Sequence, residues 1–143
     1  MSFVGIWKGG NMSTSPLAQL LIDPKENCEK LLLGVLEKFV CLEKHTGEVV
    51  LKPEFSRLPK KSKILVFLAA RKAGKLLGLI SEEHAPSDCI SEATGVGLKT
   101  TRETLSKFKK ERTVDSNSEG GWYIPDKNLI LLPEYFNRFL KTE

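Results

Sequence analysis

The sequence predicts a mostly α fold of the α+β class, in which several helices accompany one small β-hairpin. Three observations carry that prediction. Apolar residues recur at three-and-four spacing over residues 24–43, 62–79 and 98–111, the period of a helix with one buried face. A short helical segment at 86–94 joins the last of these through Gly95, a residue that accepts a left-handed backbone. Residues 113–124 then read as strand, turn, strand.

With 143 residues the chain has the size of one ordinary domain, or of a small domain with an N-terminal extension. Its 41% hydrophobic and 28% charged residues are those of a soluble globular chain. No run approaches the roughly 18 apolar residues of a membrane span, so no membrane partner is expected. Residues 1–11 lack the charged, apolar, small-residue order of a secretory signal, and the expected location is cytoplasmic. Cys28, Cys41 and Cys89 are odd in number and form no C-x-x-C pair, which predicts reduced, partly buried thiols.

Four segments are expected: a flexible arm at 1–15, a helical extension at 16–59, a central domain at 60–126 and a C-terminal helix at 127–143. The arm holds Phe3, Val4, Ile6 and Trp7 before Gly9, Gly10 and a Ser/Thr run, and Met12 offers a second start. In the extension, Asp23 is a natural N-cap and Pro24 a natural first helical residue. Leu31, Leu32, Val35, Leu36, Phe39, Val40 and Leu42 continue the helical period to about residue 43. A short strand is expected at Val49 and Val50, and a turn or short helix from Pro53 toward Leu58. Over 62–79, Ile64, Leu65, Leu68, Leu76 and Leu77 are expected along one broad apolar face, with the basic residues elsewhere. Gly78 ends that helix, and the loop after it holds His84 as an ordinary solvated residue.

The net charge is +4, but its distribution is uneven. Seven basic and no acidic residues lie between Arg57 and Lys75, and six basic residues face two acids from Lys99 to Arg112. Positive charge gathers where an anionic polymer could use it. Lys60, Lys61 and Lys63 either track phosphates or form a solvated helix start.

The most specific pattern lies in residues 86–114. The segment 86–94 is expected to bury Cys89, Ile90 and Ala93, and Val96 to plug the core after Gly95. In the helix over 98–111, Thr101, Leu105 and Phe108 face inward with Thr104 beside them. Lys99, Thr100, Arg102, Glu103, Ser106, Lys107 and Lys110 are left outside. A polar, basic outer face with an exposed helix N-terminus is what the major groove of DNA requires. Glu103 either accepts from a cytosine amine or pairs with Lys99 or Lys107 along the helix. A hairpin follows, with its tip at Asn117, Ser118, Glu119, Gly120 and Gly121, then Trp122, Tyr123 and Ile124 before Pro125. Trp122 and Tyr123 either stack on a base or pack on the sheet, the second being expected for at least one.

Over residues 62–125 the chain resembles the winged helix-turn-helix superfamily of transcription regulators, most closely in TGVGLKTTRETLSKF. That resemblance implies a winged domain, to which the N- and C-terminal helices read from the apolar spacing are additional. It implies groove-facing positions for Leu98, Lys99, Thr100, Arg102, Glu103 and Lys107, and a tip with Asn117 and Ser118 near the DNA backbone. Lys107, Lys110 and Lys63 would meet phosphates. Gly97 departs from the family's usual capping Ser or Thr, and a tip with Glu119 and no Lys or Arg adds little to phosphate binding.

The last segment has an apolar run from Leu129 to Leu132, then a helix begun by Pro133 with Tyr135, Phe136, Phe139 and Leu140. It either packs back on the N-terminal helices or forms a subunit contact, so a homodimer through N- or C-terminal helices is a candidate assembly. Cys41 and His45 have helix-compatible spacing, but ligand clusters usually come in tight pairs, and no metal or other cofactor is expected. No phosphate-loop, metalloprotease, nucleophile-elbow or paired-carboxylate motif is present, so no catalytic residue and no enzyme activity is expected. The sequence reads as a non-catalytic binder of double-stranded DNA. The alternatives are a protein-docking module in a larger complex and, third, an RNA binder.

Overall fold

The computed structural model describes residues 16–20 and 23–140. The expectations for the arm and Met12, and those for the side chains of Phe139 and Leu140, lie outside the residues so described. The described residues form five α-helices and two small antiparallel sheets, a mostly helical fold with an α+β composition.

Helix α1, Pro24–Leu36, starts where Asp23 Oδ1 accepts the Glu26 amide at 3.1 Å. It ends earlier than the periodicity suggests. Val40, expected as helical, opens strand β1, Val40–Leu42, which pairs with β2, Val49–Leu51, in register Val40 to Leu51. A helical continuation and a strand both bury Val40. The strand prevails because the turn behind it is built for it. Glu43 Oε2 accepts the amides of His45 and Thr46 at 2.9 and 2.7 Å. Gly47, with φ of +76°, sits where a Cβ would come within 2.8 Å of Leu79. The Thr46 side chain first, then the Thr46 and His45 amides, hold the Glu43 carboxyl below the usual range. That contribution is complete at neutral pH and is lost as pH falls through the lowered value. Cys41 therefore lies on a strand and His45 in a turn, which removes their helical spacing. The thiols of Cys41 and Cys89 are free and exposed, and only Cys28 is half-buried.

Helix α2, Lys60–Leu76, is the centre of the protein. Every residue from Ile64 to Ala70 is buried, so the helix has no single apolar face, and Leu77, expected in the core, is 61% exposed. A helical stretch apolar all round, as Ile64 to Ala70 is, must be covered all round. Helices α1, α3 and α5 and strand β5 pack against it, α3 being Ser87–Thr94, β5 Gly121–Tyr123 and α5 Leu132–Leu140. The buried side chains form one apolar cluster, from Leu32 of α1 through Leu65 and Leu105 to Phe136 of α5. Phe136 meets Phe39 edge-on at 5.5 Å, so the C-terminal helix packs back on the N-terminal elements.

The basic residues of α2 do not all stay outside. Lys72 is 2% exposed, and its Nζ lies 2.5 Å from both Glu83 Oε2 and Asp126 Oδ1. Arg71 donates to the carbonyls of Glu82, Glu83 and His84 at 3.1 to 3.4 Å, and Lys75 reaches Glu83 at 3.7 Å. Arg71, Lys72 and Lys75 are thus engaged within the fold. His84 is half-buried rather than solvated. It reaches Glu82 at 3.2 Å and packs over Gly121, where a Cβ would come within 2.6 Å of its ring.

Lys72→Met should destabilise the protein by about 3 kcal/mol in a urea titration, because Glu83 is left charged and enclosed. Adding Glu83→Gln should recover most of that loss. Equal stability of Lys72→Met and wild type would show that the charge cluster contributes nothing.

Candidate nucleic-acid interface

Helix α3, the helix α4 at Leu98–Lys110 and the hairpin of β4, Asp115–Ser116, with β5 form one connected surface. The link between α3 and α4 is fixed by hydrogen bonds that converge on Val96. Gly95 takes φ of +78°, the left-handed conformation that ends α3. The Val96 carbonyl accepts from Ser91 Oγ at 2.6 Å and from Thr101 Oγ1 at 3.3 Å, and its amide donates to Thr94 Oγ1. Val96 itself is 4% exposed. Of the residues expected inward from α3, only Ile90 is buried; Cys89 and Ala93 are exposed, and Thr94 is buried instead. The reason is local: Thr94 satisfies its hydroxyl on the Ile90 carbonyl at 2.7 Å and can enter the core.

In α4 the inward face is Thr101, Thr104, Leu105 and Phe108, as the period predicts. Lys99, Arg102, Glu103, Ser106, Lys107 and Lys110 are exposed, and Thr100 is half-buried. Among the described residues, no carboxylate lies within ion-pair distance of Lys99, Lys107 or Lys110. Glu103 makes neither of the two helical pairs considered for it. Arg102 is different: its Nη2 lies 3.3 Å from Asp88 Oδ1 and its Nε 3.4 Å from Ser87 Oγ. Both partners of that ion pair are well exposed, so the contact is weak and easily exchanged for another anion.

The C-terminal end of α4 is tied down by a residue far away in sequence. Arg112 has φ of +64°, and Asn128, 8% exposed, donates from Nδ2 to the carbonyls of Arg112 and Thr113 at 2.5 and 3.1 Å. Lys109 Nζ donates to Ser116 Oγ at 2.7 Å and lies 6.0 Å from the Trp122 ring centre, joining α4 to the hairpin. Trp122 packs partly against the core, as the sheet-side alternative requires.

Asn117 Oδ1 accepts the amides of Glu119 and Gly121, so the side chain shapes the turn. Ser118 is exposed. Lys63 is half-buried on α2, a separate helix from the α3–α4 surface. The hairpin also has a third strand that the sequence did not signal: β3, Ala85–Pro86, pairs with β5, which therefore lies between β3 and β4. Two residues carry no strand periodicity. Asp88, Ser87 and Lys109 were likewise not singled out, because their roles depend on residues 7 to 15 positions away.

Among the described residues, no group of three or more His, Cys, Asp or Glu is placed to hold a metal, and no helix is long and apolar enough to cross a membrane.

Gly95→Ala should cost about 1 to 2 kcal/mol in thermal unfolding, since alanine must adopt the left-handed backbone there. An unchanged midpoint would show that the turn between α3 and α4 is not held in that conformation. No family model, curated protein or solved structure matches the chain.

Proposed function

We propose that the chain is a non-catalytic binder of double-stranded DNA, most simply a transcription regulator, built on a winged helix-turn-helix plan with α4 as the helix that enters the major groove. The observation that carries this reading is the outer face of α4. Lys99, Arg102, Ser106 and Lys110 stand at i, i+3, i+7 and i+11, all exposed, with Lys107 beside them. Three of these cations have no internal anion to neutralise them, and the fourth is held only by a surface pair. Long cations and a hydroxyl on one stripe suit guanine edges and phosphates.

The plan is supported by the order α2, β3, α3, α4, β4, β5, and by a three-stranded sheet that braces the hairpin against the helices. The rigid turn at Val96 would hold α4 in one orientation relative to α3, which groove entry requires. In this reading Lys99, Thr100 and Arg102 approach base edges while Lys107 and Lys110 neutralise phosphates. Asn117 shapes the hairpin tip through its Oδ1, and Lys63 lies on α2 rather than on the α4 stripe. Asp88, Glu92 and Glu103 add exposed acids near the basic stripe, so affinity for random sequence should be modest.

Fluorescent random-sequence duplex titrated at roughly 50 and 200 mM salt should bind with strong salt dependence. The combined Lys99→Ala, Arg102→Ala and Lys107→Ala variant should lose that binding. Absence of binding by the wild type at either salt would set the DNA reading aside in favour of a protein-docking module. On a selected site, Arg102→Ala should cost about 1 to 3 kcal/mol, whereas Lys107→Ala should weaken specific and random duplex alike. Equal losses on both duplexes for Arg102→Ala would remove Arg102 from base reading.

A further inference from the structure

Among the described residues, none covers the outer face of α1. Glu29, Lys30, Leu33 and Gly34, and just past the helix end Glu37 and Lys38, are all exposed and recur at three-and-four spacing on one stripe. At its centre Leu33 leaves 59% of its surface in water. Beside it Gly34 stands in the last turn of α1, where glycine still lacks the helix preference of alanine, yet a Cβ built there meets no atom within 4 Å. No packing among the described residues requires a glycine at this position. Alongside the stripe runs an open apolar groove of about 640 Å³ between α1, β1 and the end of α2, with Leu33, Leu36, Val40, Leu76 and Leu77 in its walls.

We propose that this face joins two copies of the chain through antiparallel α1 helices crossing at Leu33 and Gly34. The charge pattern selects this occupant. With a two-fold axis between Leu33 and Gly34, Lys30 faces the partner's Glu37, Glu29 faces the partner's Lys38, and Leu33 faces the partner's Gly34. The symmetry repeats each pairing, giving four opposite-sign pairs around an apolar centre. A parallel arrangement instead sets Lys30 against Lys30 and Glu37 against Glu37. The missing side chain at Gly34 lets the two helix axes approach closely, since interaxial distance follows the side chains at the crossing. The adjoining groove then covers the partner's Leu33. Lys30 also pairs with Glu26 on its own helix at 3.1 Å, but both groups are highly exposed and that pair is readily shared.

Sedimentation equilibrium of the full chain from about 1 to about 200 µM should show mass rising from one chain toward two. Gly34→Gln, which adds a side chain at the crossing and favours the helix, should stay a single chain with undiminished helical circular dichroism and thermal midpoint. Lys30→Glu should weaken association by about tenfold or more, and Lys30→Glu combined with Glu37→Lys should restore it. A wild type that remains a single chain over the whole range overturns the proposal. So does a Gly34→Gln variant that associates as wild type does, or a charge-swapped double variant no better than Lys30→Glu alone.

Discussion

The middle of helix α2, from Ile64 to Ala70, has no face that can be left in water, and the rest of the fold follows from that constraint. Seven consecutive buried residues, Ile64 to Ala70, must be enclosed on every side. One neighbouring helix covers only a stripe of such a cylinder, so α1, α3, α5 and the central strand β5 are all needed. The enclosure takes in Lys72, whose ammonium is tolerable only because Glu83 and Asp126 converge on it from two other segments. That cluster ties the loop before β3 and the segment before α5 to the same point on α2. The elements after residue 76 are thereby given fixed positions relative to the helix.

The α3–α4 surface inherits its rigidity from this arrangement. Val96 anchors the turn through three hydrogen bonds, and Asn128 caps the far end of α4 from beyond the hairpin. Helix α4 is therefore held at both ends by hydrogen bonds to other segments. For the DNA reading this matters more than the number of charges, because base discrimination depends on placing a guanidinium to within a hydrogen bond. The Asp88–Arg102 contact belongs to the same geometry: it gives Arg102 a resting position at small energetic cost.

Helices α1 and α4 present surfaces of opposite character. The α4 face is polar with largely unneutralised positive charge, whereas the α1 face has an apolar centre flanked by balanced charge. A polyanion suits the first and a self-complementary partner suits the second. The proposed pairing through α1 would double the number of α4 helices in one assembly, and two-fold protein symmetry would then be matched by a two-fold DNA site.

The sequence by itself determined the helical elements whose signal is local. Asp23 and Pro24 marked the start of α1, Gly95 marked the turn, and Thr101, Leu105 and Phe108 marked the inward face of α4; each was readable because caps, turns and helical faces are decided by residues a few positions apart. From those came the mostly α class, the hairpin after α4, and the exposed positions of Lys99, Arg102, Lys107 and Lys110. Tertiary structure decided where local signals were ambiguous or silent. Val40 and Leu42 fit a helix as well as a strand until Val49–Leu51 supplied a pairing edge. Ala85–Pro86 became a strand only because β5 lay beside it. Arg71 and Lys72 belong to a basic stretch expected off the apolar face, yet Lys72 is buried and Arg71 half-buried, since their carbonyl and carboxylate partners lie 11 to 54 residues away. Asn117 and Asn128 were likewise assigned their roles by the amides and carbonyls that folding brought to them. A residue's local period shows which side of a helix it occupies; only the assembled chain determines whether that side meets water, a carboxylate or another helix.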